Sequence, residues 1–419
     1  MDIIRVAIVG CGRILNAHLR GFQQLRQRGF HGFRITALAA PDEEQAQAFV
    51  SRSTGVPPRP PVLPSDSGDP LAAPHTCVED FQDDVPVRIY TDYRHLFADQ
   101  VADAVLDITP VHLHHLVGLA ALEHGLHLLT QKPLAISVRA AARMVESARQ
   151  KGLVLGVFEN ARYRPWVRAA HWAFATGLLG TPQMAFLGAI GGFWSPDRIV
   201  AQTPWRHDKF RAGGGASLDI GVHHLDVLRY VVGEIDTVYA VTRRWEAERF
   251  WRNESGQIAQ RTTATVEDTY FATLTFRNGA IAQLLWSWGG HGEPLHLPSW
   301  PAFFGSRGCI QSDQLILDTG QRGSLLETYF RQADPLHRDR CFPLGLQDSF
   351  ALVQLDWLLA IATGSPGPET SGEEGLYDLA AACAILESAT LARPVTFQEV
   401  LLGQLDAYQR EINQALSID

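Results

Sequence analysis

An aspartate and a histidine four residues apart, Asp219 and His223, follow three successive glycines in the stretch GGGASLDIGVHHLD, residues 213–226. On an α-helix, residues four apart differ by about 40° around the axis, so these side chains share a face, whereas His224 lies about 140° from Asp219. Ser217 is placed to cap such a helix. A histidine exchanges protons near neutral pH, and a carboxylate one turn away orients it or a bound hydroxyl group. On spacing alone, a solvated pair on a helix surface is the more common arrangement.

A second informative pattern stands at the beginning of the chain. Gly10 and Gly12 directly follow the apolar run IRVAIV at residues 4–9, which is typical of a buried parallel strand. Residues without side chains after such a strand let a diphosphate approach the backbone and lie at the N-terminus of the next helix. Leu15 stands where a third glycine would complete the pattern. The glycines predict a dinucleotide-binding turn.

The choice of dinucleotide depends on the end of the second predicted strand, residues 33–40. Ala40 occupies the position where a carboxylate usually binds the ribose hydroxyls of the adenosine. Asp42 is near enough to replace that carboxylate, and no Lys or Arg follows at once to favour a 2′-phosphate. We therefore predict NAD as the cofactor and keep NADP as an alternative.

The elements around these motifs indicate an α/β fold. Apolar runs alternate with helical stretches, which predicts a doubly wound parallel sheet of the Rossmann type. The predicted strands cover residues 4–9, 33–40, 102–109, 125–131 and 153–160. A segment rich in Pro, Ser and Gly, at about 51–85, interrupts this pattern as an irregular insertion. Such an insertion is either a plain surface excursion or a lid or subunit contact.

From about residue 161 the pattern changes to alternating strands with Asn-Gly and Arg-Gly turns, followed by a helical tail from about 347. We predict a Rossmann domain at 1–160 and an α+β domain with an open, mostly antiparallel sheet at 161–419, with a C-terminal helix that packs back on the first domain.

An open sheet face is usually buried against another subunit, so we expect a homodimer or homotetramer.

Composition excludes several other classes of protein. The formal net charge of the 419 residues is -9, and no dense Lys/Arg run exists to form a nucleic-acid surface. No stretch of about 18 apolar residues or secretory signal pattern is present, so we expect a cytoplasmic protein without a membrane partner. The five scattered cysteines form no CxxC pair, and the histidines of HLHH at 112–115 lack ligands at a matching spacing. No metal is predicted.

Three segments in order resemble the Gfo/Idh/MocA family of dehydrogenases, named after glucose-fructose oxidoreductase and inositol dehydrogenase. They are DITPVHLHHLVGLAALEHGLHLLTQKPLA at 107–135, PWRHDKFRAGGGASLDIGVHHLD at 204–226 and PETSGEEGLYDLAAACAILESATLARPV at 368–395. The resemblance covers nearly the whole chain apart from the insertion. It implies a Rossmann domain, an open-sheet second domain, and hydride exchange between a nicotinamide and a hydroxyl group of a sugar, glycoside or cyclitol.

The resemblance also implies roles for individual residues. Lys132, Asp219 and His223 match the family's catalytic lysine and its Asp and His four apart, whereas Gln131 stands where the family usually has Glu before Lys-Pro. Asn160 and Arg162 are further substrate-binding candidates beside Asp219 and His223. The cofactor-binding candidates are Gly10, Gly12, Arg13, Ile14, Ala40, Thr109, Pro110, His114, Gln131, Lys132, Trp205 and Arg206.

Three functions fit this set of residues. The first is an NAD(P)-dependent dehydrogenase or reductase acting on CH–OH groups, with Lys132 and His223 in proton transfer and Asp219 in orientation. The second is a glycosidase that oxidises its substrate transiently with bound NAD. The third is a non-catalytic dinucleotide sensor on the same fold, since a fold does not fix a function. Because a sensor would be expected to lose one of the three catalytic residues, we expect the first.

Overall fold

The computed structural model describes residues 2–191, 203–253, 255–296 and 301–418. Its chain divides into two compact units, and each unit is assembled from three separate segments. The first unit comprises Met1–Ala135, Ala141–Asn160 and Phe342–Gly375. The second unit comprises Ile136–Ala140, Ala161–Cys341 and Leu376–Asp419.

The first unit is built on a six-stranded parallel sheet with the order β3-β2-β1-β4-β5-β6. Its strands are β1 (Ile4–Val9), β2 (Phe33–Ala39), β3 (Arg88–Tyr90), β4 (Ala104–Asp107), β5 (His127–Gln131) and β6 (Leu155–Phe158). All four residues of β4 and of β6 are buried, as expected for strands covered on both faces. The predicted Rossmann sheet is confirmed.

The helices alternate with these strands and continue into the rest of the chain. In chain order they are α1 (Leu15–Gln27), α2 (Glu43–Val50), α3 (Tyr93–Ala98), α4 (Val111–Glu123), α5 (Val138–Lys151), α6 (Pro165–Ala175), α7 (Lys209–Ala212), α8 (Val222–Val231), α9 (Leu325–Gln332), α10 (Pro335–Cys341), α11 (Ser349–Thr363), α12 (Gly372–Leu391), α13 (Phe397–Leu401) and α14 (Arg410–Ala415). In the described residues, no helix has both the length and the apolar character needed to cross a membrane.

The insertion at 51–85 contains only short 3₁₀ turns, at Arg52–Thr54, Pro70–Ala72 and Val78–Asp80. Ion pairs and backbone contacts stabilise it in place of a regular core. Arg52 pairs with Asp80 at 2.8 Å, and Arg34 of β2 pairs with Asp84 at 2.6 Å. The absence of periodic apolar residues explains why this segment forms neither a strand nor a longer helix.

The second unit contains a mixed, mostly antiparallel sheet. The strand order along its main path is β17-β16-β15-β14-β7-β12-β11-β8-β18, and β13 pairs with β7 beside this path. The β7–β12 pair is parallel. Strands β9 and β10 form a separate hairpin. The strands are β7 (Pro182–Ile190), β8 (Ile235–Arg243), β9 (Glu248–Arg252), β10 (Ile258–Thr263), β11 (Thr269–Phe276), β12 (Ile281–Ser287), β13 (Leu295–His296), β14 (Ala302–Gly305), β15 (Gly308–Gln311), β16 (Gln314–Leu317), β17 (Arg322–Ser324) and β18 (Val395–Thr396). The predicted α/β class with a second, open-sheet domain is confirmed.

One face of this second sheet carries large exposed apolar side chains. The alternation along β11 is typical, since Tyr270, Ala272 and Leu274 are buried while Phe271 between them is 44% exposed. The exposed members of the face are Met184, Phe186, Tyr239, Val241, Phe271 and Ile281. An exposed sheet face with several large apolar side chains favours an interface with another protein surface.

Candidate functional site

The turn between β1 and α1 combines a tight backbone with open space. Gly10 has φ +102°, and a Cβ atom there would lie 2.9 Å from the carbonyl carbon of Ile108, so only glycine fits. Gly12 differs, because a Cβ atom there would meet no heavy atom within 4 Å. Gly10 thus brings the strand ends together, while Gly12 leaves room for a ligand against the backbone. The turn fits a dinucleotide diphosphate.

The first turn of α1 completes this cradle. Ile14 directly precedes the helix, and its carbonyl oxygen accepts a hydrogen bond from the amide of Ala17 at 3.1 Å. Arg13 is exposed beside it. The backbone amides at the start of a helix and the positive end of its dipole favour a negatively charged group here. Leu15 is fully buried and packs the start of the helix where the third glycine was expected.

At the end of β2, the position usually taken by a ribose-binding carboxylate is Ala40, and the nearby carboxylate of Asp42 serves as a helix cap. Ala40 is buried and donates its amide to the carbonyl oxygen of Tyr90 at 3.0 Å. The carboxylate of Asp42 caps α2, since it accepts hydrogen bonds from the amide of Glu44 and the side chain of Gln45, each at 3.1 Å. Asp42 therefore has a local structural role that the sequence pattern did not predict.

A buried carboxylate organises the ends of β4 and β5. Asp107 is fully buried, and its Oδ1 accepts hydrogen bonds from the amide of Thr109 at 3.0 Å and from its hydroxyl at 2.7 Å. Its Oδ2 accepts from the hydroxyl of Thr130 at 3.1 Å. Asp107 was not among the predicted site residues, although an acid at the end of an otherwise apolar strand was a visible signal.

His114 joins the Thr109–Pro110 turn to the segment that contains Lys132. The His114 ring is 1% exposed; its Nδ1 lies 2.9 Å from the carbonyl oxygen of Pro133 and its Nε2 lies 2.8 Å from that of Thr109. These contacts give His114 a positioning role within the first unit. Its predicted contact with the cofactor stays a prediction.

Lys132 directly follows β5 and is partly exposed. The Gly10–Gly12 turn follows β1, and Thr109 comes two residues after β4. Because β1, β4 and β5 are parallel, their carboxyl ends meet at the same edge of the sheet, where ligands bind in open α/β folds. The first unit therefore assembles the predicted cofactor residues from distant parts of the sequence at one edge.

Gln131 forms a matched pair with a neutral histidine. Its Oε1 accepts a hydrogen bond from the amide of Lys132 at 3.0 Å, and its Nε2 donates to Nε2 of His18 at 3.1 Å. The His18 ring packs against Phe158 and Phe350, with centroid distances of 4.3 and 5.0 Å. Burial lowers the pKa of His18 to about 3, so the ring is neutral and accepts from the amide. An amide at 131 can donate to this nitrogen, whereas a carboxylate would require the tautomer with a proton on Nε2 or the charged ring.

In the second unit, the glycine loop is held by a buried carboxylate. Glu267 accepts hydrogen bonds from the amide of Gly215 at 2.9 Å, from the amide of Ser217 at 3.0 Å and from its hydroxyl at 2.6 Å. Burial raises the pKa of Glu267, and these donors oppose the rise. A Cβ atom on Gly215 would lie 1.8 Å from the carbonyl oxygen of Glu267. The prediction that Ser217 caps a helix is wrong, because its hydroxyl binds Glu267 instead.

The residues after this loop form a π turn at Ser217–Gly221, and the α-helix α8 starts only at Val222. The prediction of one regular helix across Asp219 and His223 is therefore corrected. The amide of Asp219 donates to the carbonyl oxygen of Gly215 at 3.0 Å, and both Asp219 and His223 are partly exposed. Single π turns occur frequently at functional sites, where they shift a side chain relative to a regular helix.

The Trp205–Arg206 pair contacts this π turn. Arg206 Nε lies 3.4 Å from Oδ2 of Asp219, and the Arg206 guanidinium stacks over the Trp205 ring with a distance of 4.4 Å to its centroid. Both residues belong to a short helical turn at Pro204–His207. The second unit thus brings Trp205, Arg206 and Asp219 together as a cluster of polar groups.

The two weaker substrate-binding candidates have internal partners. Arg162 is 4% exposed, and its Nε donates to Oδ1 of Asp226 at 2.7 Å. Asp226 thereby forms a buried ion pair inside the second unit. In the first unit, Asn160 donates to the hydroxyl of Ser349 at 2.9 Å. Both residues support the fold, and their contact with a substrate stays a prediction.

Comparison with known proteins identifies the class of both units. Residues 70–159 match an oxidoreductase family with an NAD-binding Rossmann fold, and residues 167–311 match the GFO/IDH/MocA C-terminal domain. The chain belongs to the Gfo/Idh/MocA family of oxidoreductases. The predicted family, a family of oxidoreductases with an NAD-binding Rossmann fold, is confirmed.

Individual relatives show the same relationship. Levoglucosan dehydrogenase from Pseudarthrobacter phenanthrenivorans is 31% identical over 211 residues. This alignment covers 48% of the chain and 54% of the relative, so it spans about half the length of each protein. D-apiose dehydrogenase from Paraburkholderia graminis is 25% identical over 94% of the chain and 90% of its own length. The solved structure of levoglucosan dehydrogenase with NADH and L-sorbose shares the fold, with a TM-score of 0.73 at 23% identity over 95% of this chain and 99% of that one.

Proposed function

We propose that the chain transfers a hydride between NAD and a hydroxyl or keto carbon of a sugar, glycoside or cyclitol. One observation carries this proposal: Asp219 lies on a π turn in contact with Arg206, with His223 four residues further along. The relatives support it too, since their names include dehydrogenases of levoglucosan and D-apiose. Carboxylate, guanidinium and imidazole groups together suit a substrate rich in hydroxyl groups.

The cofactor supplies a hydride acceptor when it is bound. In this proposal the backbone at Gly10, Gly12, Arg13 and Ile14 holds the diphosphate, and the open space beside Gly12 supports that assignment. The further contacts are assigned to Ala40, Thr109, Pro110, His114, Gln131, Lys132, Trp205 and Arg206. NADP is an alternative to NAD, because Ala40 stands where a carboxylate usually binds the ribose hydroxyls.

The chain's own residues handle the proton and the oxygen. As the C–H electron pair leaves the carbinol carbon as hydride, the hydroxyl group loses its proton and the C–O bond becomes a carbonyl. His223 and Lys132 take part in that proton transfer, Lys132 also donates a hydrogen bond to the reacting oxygen, and Asp219 orients the substrate. Asn160 and Arg162 are proposed as outer contacts of the substrate.

We also propose that two or four copies of the chain assemble through the exposed apolar face of the second sheet. Phe186 and Phe271 on that face are 40% and 44% exposed, and burying such side chains releases about 25 cal/mol for each Å² removed from water. A second copy offers the same apolar surface, which suits a symmetric interface.

The proposed reaction is tested by following the absorbance of reduced nicotinamide. Purified protein is mixed with NAD or NADP and a panel of sugars, glycosides and cyclitols. We expect reduction that requires one class of polyol and vanishes in Lys132→Ala, while Lys151→Ala, at an exposed lysine ending α5, keeps wild-type activity. If the protein binds a dinucleotide but no substrate reduces the nicotinamide, the proposal is overturned in favour of a sensor. If it cleaves a glycoside while the cofactor stays bound and is recycled, the proposal is overturned in favour of a glycosidase.

A further inference from the structure

The insertion at 51–85 is attached to the start of α1, next to the Gly10–Gly12 turn. Asn16, the second residue of α1, is 3% exposed and holds both arms of the insertion. Its Nδ2 donates to the carbonyl oxygen of Arg59 at 3.1 Å, and its Oδ1 accepts from the amide of Thr76 at 3.2 Å. The backbone of Arg59 is therefore fixed beside the first turn of the helix.

A further contact fixes Arg59, while its guanidinium group is unpaired. The amide of Arg59 donates to Nδ1 of His75 at 3.3 Å. Within the described parts of the chain, the partly buried guanidinium makes neither a hydrogen bond nor an ion pair. The other arginines of this region differ, because Arg52 pairs with Asp80 and Arg34 pairs with Asp84. Among the residues that the structure describes, no carboxylate forms an ion pair with Arg59.

That charge is near the glycine turn. Cys11 lies between Gly10 and Gly12, and its thiol points toward the end of β2, with Sγ 3.9 Å from the carbonyl oxygen of Ala39. Burial raises the pKa of Cys11 to about 12, and the positive charge of Arg59 opposes this rise. Partial burial of a cation without an anionic partner is unfavourable in the free protein, and an anion supplied by a ligand removes that penalty.

We propose that Arg59 binds a phosphate group of the nicotinamide dinucleotide, so that the insertion completes the cofactor site. This inference rests on the proposed function. The guanidinium group presents several N–H donors in a planar fork that matches the geometry of phosphate oxygens. The backbone amides around Gly12 supply neutral donors, and Arg59 adds the charge that the helix terminus provides only partially.

The experiment measures dissociation constants of the full chain for NADH and NADPH, from nucleotide fluorescence at fixed ionic strength. We expect Arg59→Ala to weaken binding about 10- to 100-fold, the loss typical of a charge-assisted hydrogen bond, and Arg59→Lys to recover part of it. Arg20→Ala removes an exposed arginine from α1 and should leave both constants unchanged. The melting temperature without nucleotide checks the fold, and Arg59→Gln replaces the alanine variant if that temperature falls.

The two cofactors distinguish the two possible phosphates. Equal weakening of NADH and NADPH supports a contact with the diphosphate, and weakening of NADPH alone supports a contact with the 2′-phosphate. If the dissociation constants of NADH and NADPH are unchanged in Arg59→Ala, the inference is overturned while the proposed function stands. The same holds if Arg20→Ala weakens binding as much as Arg59→Ala. A wild-type chain that binds neither nucleotide overturns the inference together with the proposed function.

Discussion

Replacing Gly215 by alanine adds only one methyl group, but it should disturb the cluster of Trp205, Arg206 and Asp219 in the second unit. The new Cβ atom would lie 1.8 Å from the carbonyl oxygen of Glu267, about half of an ordinary carbon–oxygen contact. The contact is with backbone, so no side-chain rotation relieves it. The loop has to retreat by about 1.5 Å, and its donors then leave the Glu267 carboxylate.

The size of the effect follows from those donors. The amide of Gly215, the amide of Ser217 and its hydroxyl all bind Glu267, at 2.9, 3.0 and 2.6 Å. Each hydrogen bond to a charged group contributes about 1.5–3 kcal/mol, so loss of two destabilises the unit by about 3–6 kcal/mol. For a domain of this size the melting temperature falls by about 10 °C. Because the π turn with Asp219 starts at Ser217, we also expect kcat to fall about 100-fold.

The assay combines thermal unfolding, steady-state kinetics with the preferred polyol, and NADH binding. Gly323→Ala is the matched control, since a Cβ atom there lies 3.9 Å from the Thr328 hydroxyl, an ordinary contact in the same unit. Most of the proposed cofactor contacts lie in the first unit, so the dissociation constant of NADH should change less than kcat in Gly215→Ala. A Gly215→Ala protein with the melting temperature and kcat of Gly323→Ala would refute the steric argument.

Three further predictions concern both units. The pKa of His18 is about 3 in the folded chain and about 6.5 when unfolded, so the unfolded state binds more protons and stability falls as pH falls through that window. His18→Gln should remove up to about 5 kcal/mol of this acid sensitivity, measured by urea unfolding at several pH values, and an unchanged pH dependence would contradict it. Gln131→Glu should raise the pKa of His18, because a carboxylate favours the charged ring; an NMR titration of the ring that stays at about 3 would contradict this. Phe186→Asp should reduce the oligomer mass measured by light scattering, and a monomeric wild type would contradict the proposed interface.

Local patterns predicted the first unit well. The apolar run at 4–9 meets Gly10 where β1 ends, and the structure requires glycine there because φ is +102°. Such features depend on residues adjacent in sequence. The parallel sheet follows from several such strands alternating with helices, and β1, β2, β4, β5 and β6 all lie within predicted ranges.

Long-range contacts were not predictable from local patterns. The π turn at Ser217–Gly221 follows a loop held by Glu267, which is 50 residues from Ser217. The amide partner of His18 lies 113 residues away at Gln131. In both cases a buried polar group takes its partner from a distant segment because desolvation requires one, and spacing along the chain contains no information about that partner.

The division of the first unit into three segments constrains how the chain is synthesised and trimmed. The α1 helix packs against α11, where Gln354 donates to the carbonyl oxygen of His18 at 2.9 Å across 336 residues. Gly21 leaves room for the same contact, since a Cβ atom there would lie 2.4 Å from Oε1 of Gln354. On the ribosome, α1 keeps an apolar face uncovered until α11 emerges. A fragment cut at residue 160 would expose that face permanently, so a minimal nucleotide-binding fragment has to include Phe342–Gly375 joined by a linker.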